Sequence, residues 1–183
     1  MVYRIHIFGA SGSGTTTLGK ALARKNKCHH WDTDGYFWIP SNPPFQTIRP
    51  FVERQKLLLR DLEESDSWVL SGSLCGWGDF IIPLFDILVF LWIPADVRMA
   101  RLRQRELDRY GSDIKHPDNP QYASHQGFLD WAADYDTGGL DLRSKMRHEQ
   151  WMEQLNQPVI RLEGLGTVEE NLKIIQDVIE SKL

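Results

Sequence analysis

The chain has 183 residues, enough for one well-buried domain spanning 1–183. Its composition, 42% hydrophobic and 25% charged, is that of an ordinary globular protein. A net charge of −4 speaks against a general nucleic-acid binder, and two cysteines, Cys28 and Cys75, are too few for a disulfide framework.

Free thiols fit a reducing compartment, so a cytoplasmic protein is expected. The first eight residues (MVYRIHIF) enter a strand-like stretch without the basic and long apolar regions of a signal peptide. No window of the sequence approaches the length of apolar chain that a membrane span needs. Neither a membrane nor a nucleic acid is therefore expected as a partner.

In chain order, residues 3–8 form the first expected strand. A glycine-rich loop follows, and then a helix with Leu18, Ala21 and Leu22 on one face. Residues 29–32 make a second strand, and the proline-rich stretch 38–50 reads as a loop. A helix opens near Pro50 with Phe51, Gln55, Leu58, Leu59 and Leu62 on its inner stripe.

Strands are expected again at 68–72 and 86–93; the second is almost continuously apolar, as when both faces of a parallel strand are covered. The helix near Asp96 carries Arg98, Arg101, Arg103, Arg105 and Arg109. Residues 108–145 are irregular, rich in glycine, proline and aromatics, and read as a lid or binding segment. A last strand at 158–163 leads to a helix opened by the capping box Thr167-x-x-Glu170, with Val168, Leu172, Ile175 and Ile179 at helical spacing. Strands alternating with helices imply an α/β fold with a parallel sheet covered on both sides.

The stretch Gly9, Ala10, Ser11, Gly12, Ser13, Gly14, Thr15, Thr16, Thr17 carries the functional argument. Phosphate binding needs backbone N–H groups turned into a concavity with no side chains in the way, which glycines permit. The helix that follows adds its positive end. Thr16 stands where the hydroxyl of a P-loop binds Mg²⁺, whereas Thr15 occupies the position where the motif G-x-x-x-x-G-K-[ST] has its lysine. One full positive charge is therefore missing from the loop. Asp32 and Asp34 flank Thr33 at a strand's C-terminal end, the edge where open α/β sheets bind ligands.

With these residues the chain resembles the P-loop kinases of small molecules: the nucleoside-monophosphate, shikimate and gluconate kinase group, including adenylate kinase-related proteins. The likeness covers nearly the whole chain. It rests on the loop at 9–17, the pair Asp32-Thr-Asp34, the run Arg101-Leu-Arg-Gln-Arg105, a variable lid and a final strand and helix. It implies a three-layer α/β/α P-loop NTPase fold, with a five-stranded sheet in the order 2-3-1-4-5. It also implies transfer of the γ-phosphoryl group of ATP to a small-molecule acceptor with Mg²⁺, in a monomer or weak homodimer.

By the same likeness Asp32 is the metal-side carboxylate and Asp34 the base or acceptor-binding group. Arg101 stacks on adenine, Arg105 reaches the phosphates, and Arg143 at the far end of the lid is a stand-in for the missing lysine. Arg98, Arg103 and Arg109 are expected to face solvent, and His116, His125 and His148 to be polar surface or lid residues. The segment Gly76-Trp77-Gly78-Asp79 is read either as a wall of the acceptor pocket or as plain packing.

Two departures bear on function. The third strand lacks the aspartate and the following arginine of adenylate kinases, which moves the likeness toward shikimate and gluconate kinases. Thr15 leaves open an alternative, an ATP-binding regulatory or sensing module with little or no turnover. A GTPase switch is disfavoured because the base-reading motif Asn-Lys-x-Asp is absent.

Overall fold

The computed structural model describes residues 3–181. Five parallel strands, β1 (Arg4–Gly9), β2 (His29–Asp32), β5 (Trp68–Ser71), β6 (Ile87–Trp92) and β7 (Val159–Glu163), form one sheet in the order β2-β5-β1-β6-β7. Counting these five strands alone, the order is 2-3-1-4-5, as expected. Two further strands, β3 (Trp38–Ile39) and β4 (Thr47–Ile48), pair antiparallel as a small separate hairpin in the stretch read as a loop. Backbone pairing there is supported by Arg49, which donates to the carbonyls of Tyr36 (3.0 Å) and Trp38 (3.2 Å).

Alternation along each strand divides the core between two layers. Ile5, Ile7, Val69, Val89 and Leu91 face the layer of α1 (Thr15–Asn26) and α7 (Val168–Ser181), against Leu18, Leu22, Ile175 and Ile179. Phe8, Trp68, Leu70, Leu88 and Phe90 face the other layer, against Leu58 and Leu62 of α3 (Phe51–Glu63) and Trp151 of α6 (Lys145–Glu153). The capping box of α7 is formed, Thr167 N donating to Glu170 Oε2 at 2.7 Å and Glu170 N to Thr167 Oγ1 at 3.2 Å.

Phe51 departs from the inner stripe expected for α3. It is 49% exposed, and its ring meets the Arg54 guanidinium instead. In the irregular region, a helix α5 (Tyr122–Ala133) packs on α4 (Ala95–Tyr110) through Met99, Leu102, Leu129 and Ala132. No described helix is long and apolar enough to cross a membrane.

Two buried histidines mark the α3 and α6 layer. His6 stacks between Phe8 and Phe85, and burial pushes its pKa down to about 3 despite the hydrogen bond to Leu70 O. His148 is held neutral in the same way, its pKa pushed down to about 3 by burial and by nearby Arg143. It was expected, with His116 and His125, as a polar surface or lid residue; His148 is instead buried on α6, His125 is buried within the lid segment, and His116 is exposed there.

Unfolding returns each buried imidazole to its ordinary pKa of 6.5. The unfolded chain then binds more protons than the native one below that value, so stability falls as pH drops from 6.5 toward 3. Each histidine is expected to cost about 2 kcal/mol at pH ~5 relative to neutral pH. Urea denaturation as a function of pH checks this: His6→Phe should roughly halve the slope, and a flat wild-type profile would refute the assignment.

Candidate active site

The glycine-rich loop joins β1 directly to α1. Gly12 (φ 81°) and Gly14 (φ 99°) adopt left-handed backbone that side chains resist. A Cβ on Gly12 would lie 2.8 Å from the Arg98 carbonyl oxygen, so the loop is seated on α4. The N-terminal N–H groups of α1 are unpaired within the helix, and no side chain caps them. This is the cradle expected from the sequence. Ser13 Oγ is buried without a partner, and Arg101 Nη1 donates to Ser13 O at 3.4 Å. A cavity of about 200 Å³ beside the loop is lined by Ser13, Gly14, Thr17, Arg101, Gly166 and Asn171 among others.

Asp32 ends β2 and caps α2 (Thr33–Phe37), accepting from Asp34 N at 3.0 Å through Oδ1. Its Oδ2 accepts from Thr16 Oγ1 (2.7 Å) and Ser71 Oγ (3.2 Å). His30 Nε2 lies 3.0 Å from that serine oxygen. A hydroxyl and a carboxylate oxygen facing each other suit a hard divalent cation, which completes its shell with phosphate oxygens and water. Thr16 and Asp32 therefore fit Mg²⁺. Among the described residues no cluster of three or more His, Cys, Asp or Glu could hold a metal by protein ligands alone.

Asp34 follows in the first turn of α2. Loss of hydration, reinforced by Asp32, raises its pKa, while Arg143, Arg105 and Arg109 oppose the rise. Asp34 is exposed, and the three guanidiniums act on its carboxylate through space. Arg105 is half-desolvated, its guanidinium 5.7 Å from the Phe128 ring and paired to Glu106. Arg143 lies over Trp131 at 4.5 Å and donates from Nη2 to Ser11 Oγ at 2.8 Å. Its Nε is buried with no partner. A full charge from the chain's far end therefore reaches the loop that lacks its lysine.

The other arginines divide differently from expectation. Arg103 is exposed, as expected. Arg98 is fully buried: it donates to Ile93 O and Ala132 O, and pairs with Asp136, which also accepts from Trp92 Nε1 at 2.8 Å. A residue at the first turn of α4 faces back into the sheet edge, which helical spacing alone does not reveal. Arg109 is exposed, as expected, while also packing on Phe45 of the β3–β4 hairpin at 4.8 Å and pairing with Glu106 at 3.2 Å.

Arg54 and Arg147 were not picked out in the sequence. Arg54 is caged by Phe37 (4.6 Å), Phe51 (5.0 Å) and Trp77 (5.2 Å), and its Nε and Nη1 are buried without hydrogen-bond partners. Trp77 is 7% exposed and donates from Nε1 to Ser73 O at 3.1 Å, so it both packs and walls this cage. Arg147 packs so closely on Gly76 that a Cβ there would meet its Nη2 at 2.6 Å. The aromatic residues three positions away from Asp34 and Arg54 on their helices were the available signal.

The architecture matches solved P-loop kinases of small molecules. Shikimate kinase from Bacteroides thetaiotaomicron superposes with a TM-score of 0.55 at 21% identity, covering 98% of this chain and 99% of that one. Shikimate kinase from Acinetobacter baumannii, solved with shikimate, gives 0.54 at 18% identity over 100% and 95%. A sugar kinase from Janibacter sp. HTCC2649 gives 0.54 at 15% identity over 98% and 95%. The fold is that of the P-loop small-molecule kinases. No protein-family model matches the sequence. YqaC, an uncharacterized protein of Bacillus subtilis (strain 168), is 44% identical over 181 residues, 99% of each chain, and the chain belongs to the YqaC family.

Gly12→Ala is expected to destabilise the protein by roughly 1–3 kcal/mol, since it combines a strained backbone with a clash against a carbonyl. Urea denaturation measures this, and an unchanged midpoint would show that the loop is not seated on α4 as described.

Proposed function

We propose that the chain is an ATP-dependent phosphotransferase that moves the γ-phosphoryl group of ATP to a hydroxyl of a small-molecule acceptor. The observation that carries this reading is Asp34. This carboxylate opens α2 two residues after Asp32, whose side chain bonds both the Asp34 N–H and Thr16 at the start of α1. Arg143, which acts on Asp34 through space, touches the phosphate loop. Carboxylate, charge and phosphate loop thereby stand at the C-terminal edge of one parallel sheet.

In this reading the backbone N–H groups of residues 9–14 and the start of α1 hold the β-phosphate. Asp34 accepts the proton of the acceptor hydroxyl as that oxygen bonds to the γ-phosphorus and the bond to the bridging oxygen of ADP breaks. Arg105 and Arg143 face the charge on the transferring group, and Arg143 supplies the charge absent at Thr15. Mg²⁺ held at Thr16 and Asp32 would neutralise phosphate oxygens. Arg101 lines the cavity beside the loop where the nucleotide base fits. The segment 108–145, containing α5 and ending at Arg143, acts as the lid.

Arg54 defines the acceptor side. Phe37, three residues after Asp34 on α2, forms one wall of the cage around this guanidinium. Two shielded donors with no partner call for an anion. The acceptor in this reading carries a hydroxyl and a carboxylate or phosphate.

The second reading is a nucleotide-binding module without turnover, favoured by Thr15. The two are separated by incubating the protein with ATP, Mg²⁺ and a panel of hydroxylated acids and phosphorylated metabolites. Acceptor-dependent ADP release is expected; no rise above background with any acceptor favours the binding module.

Two variants refine the test. Asp34→Asn should lower kcat by about 10²–10⁴-fold. It should also abolish the acid limb of the kcat/KM profile, which lies above the ordinary carboxylate value of 3.8 because the folded pKa is raised. Arg54→Met should raise the acceptor KM by roughly 10- to 100-fold with kcat little changed, the cost of one charge-assisted contact of about 1.5–3 kcal/mol. Equal loss in kcat would place Arg54 elsewhere than the acceptor subsite.

A further inference from the structure

His148 stands at the junction of three segments that the proposed chemistry brings together. It lies on α6, fully buried, edge-on to Phe8 at 5.3 Å and to Phe90 at 6.0 Å. Its Nε2 is 3.0 Å from Ser73 Oγ, just past the end of β5 on the acceptor side. Its Nδ1 is 2.7 Å from the hydroxyl of Tyr135, in the 3₁₀ turn Asp134–Asp136 that follows α5. A neutral imidazole donates at one nitrogen and accepts at the other, and either hydroxyl can take the complementary role. The bridge is thus fully satisfied inside the core.

Arg143 sits between the two ends of this bridge. On its N-terminal side Tyr135 is fixed by His148 and lies under the Arg98 guanidinium at 5.1 Å, and Asp136 is held by Arg98 and Trp92. On its C-terminal side Ser144 is fully buried, accepting from Arg147 N at 3.0 Å and donating to Gly139 O at 2.7 Å. The intervening residues have no sheet or helix of their own. The reach of Arg143 to Ser11 is therefore set by where its flanks are fastened.

We propose that His148 is a positioning residue: through Tyr135 and Ser73 it fastens the segment carrying Arg143 to the end of β5, and so places the guanidinium at the phosphate loop. The inference rests on the reading of Arg143 as a phosphate ligand. It adds that the acceptor-side strand end and the phosphate-side arginine are one mechanical unit, joined by a side chain that touches neither substrate.

Calorimetric binding of a non-hydrolysable ATP analogue and of ADP, with Mg²⁺, tests it on four proteins: wild type, Arg143→Ala, Tyr135→Phe and the double variant. Tyr135→Phe removes only an oxygen, so the fold persists where a larger change at His148 would open a cavity. Arg143→Ala should weaken the ATP analogue by at least tenfold and ADP by less than about twofold, because only the former carries the γ-phosphoryl group. Tyr135→Phe should do the same on a smaller scale, roughly five- to tenfold, as expected for one lost hydrogen bond.

The double variant should bind no worse than Arg143→Ala alone, since both changes remove one interaction. A Tyr135→Phe protein that loses ADP and the analogue equally, or effects that multiply in the double variant, would overturn the positioning role while leaving Arg143 as a ligand. An Arg143→Ala protein that still distinguishes the analogue from ADP as wild type does would overturn both this inference and the assignment of Arg143 in the proposed reaction.

Discussion

The carboxylate of Asp32 is the point on which the cleft depends. One side chain ends β2, caps α2 through Asp34 N, and accepts from Thr16 of α1 and Ser71 of β5. These contacts fix the distance between the phosphate loop and the carboxylate Asp34, because both hang from the same group. A carboxylate can do this because it offers several lone-pair sites in a small volume. At the adjacent position, Gly72 (φ 104°) leaves room for Thr33, whose hydroxyl occupies the place of its missing Cβ. Strand end, helix start and loop are thus packed without intervening side chains.

The opposite wall is built from arginines, and burial sorts them by task. Arg98 is consumed by structure: its donors are satisfied by two carbonyls and Asp136. Arg143 and Arg54 are desolvated yet retain buried donors without partners, which is costly unless a ligand completes them. The contrast separates a scaffold arginine from ones available to a ligand more clearly than exposure does. In the proposed reading the charge that Thr15 lacks comes from Arg143, more than a hundred residues away in sequence, which donates to Ser11 and is flanked by the buried His148 bridge.

Much of the fold was legible because its signals are local and periodic. All five main strands were found within one or two residues of their observed bounds, and the capping box at Thr167 did form. The glycine loop and the Asp32–Asp34 pair were legible because their spacing is contiguous along the chain. The hairpin at 38–48 was missed: two-residue strands carry no alternation to detect, and tertiary contacts with Arg49 and Arg109 hold them. Arg98 and His148 were misplaced because polar residues on a helix read as solvent-facing unless a distant partner satisfies them, and those partners lie elsewhere in the chain.

The sequence by itself determined the parallel α/β architecture, the glycine-rich loop with threonine at the lysine position, and the carboxylates that the proposed reading assigns to a metal and a proton. These follow from backbone conformation and side-chain periodicity, which neighbouring residues set. Only the tertiary structure decided which arginine reaches the loop, which is buried as scaffold, and which is caged by aromatic rings with its donors unpaired. Those outcomes depend on desolvation and on partners brought together by sheet order, and neither is encoded at short range.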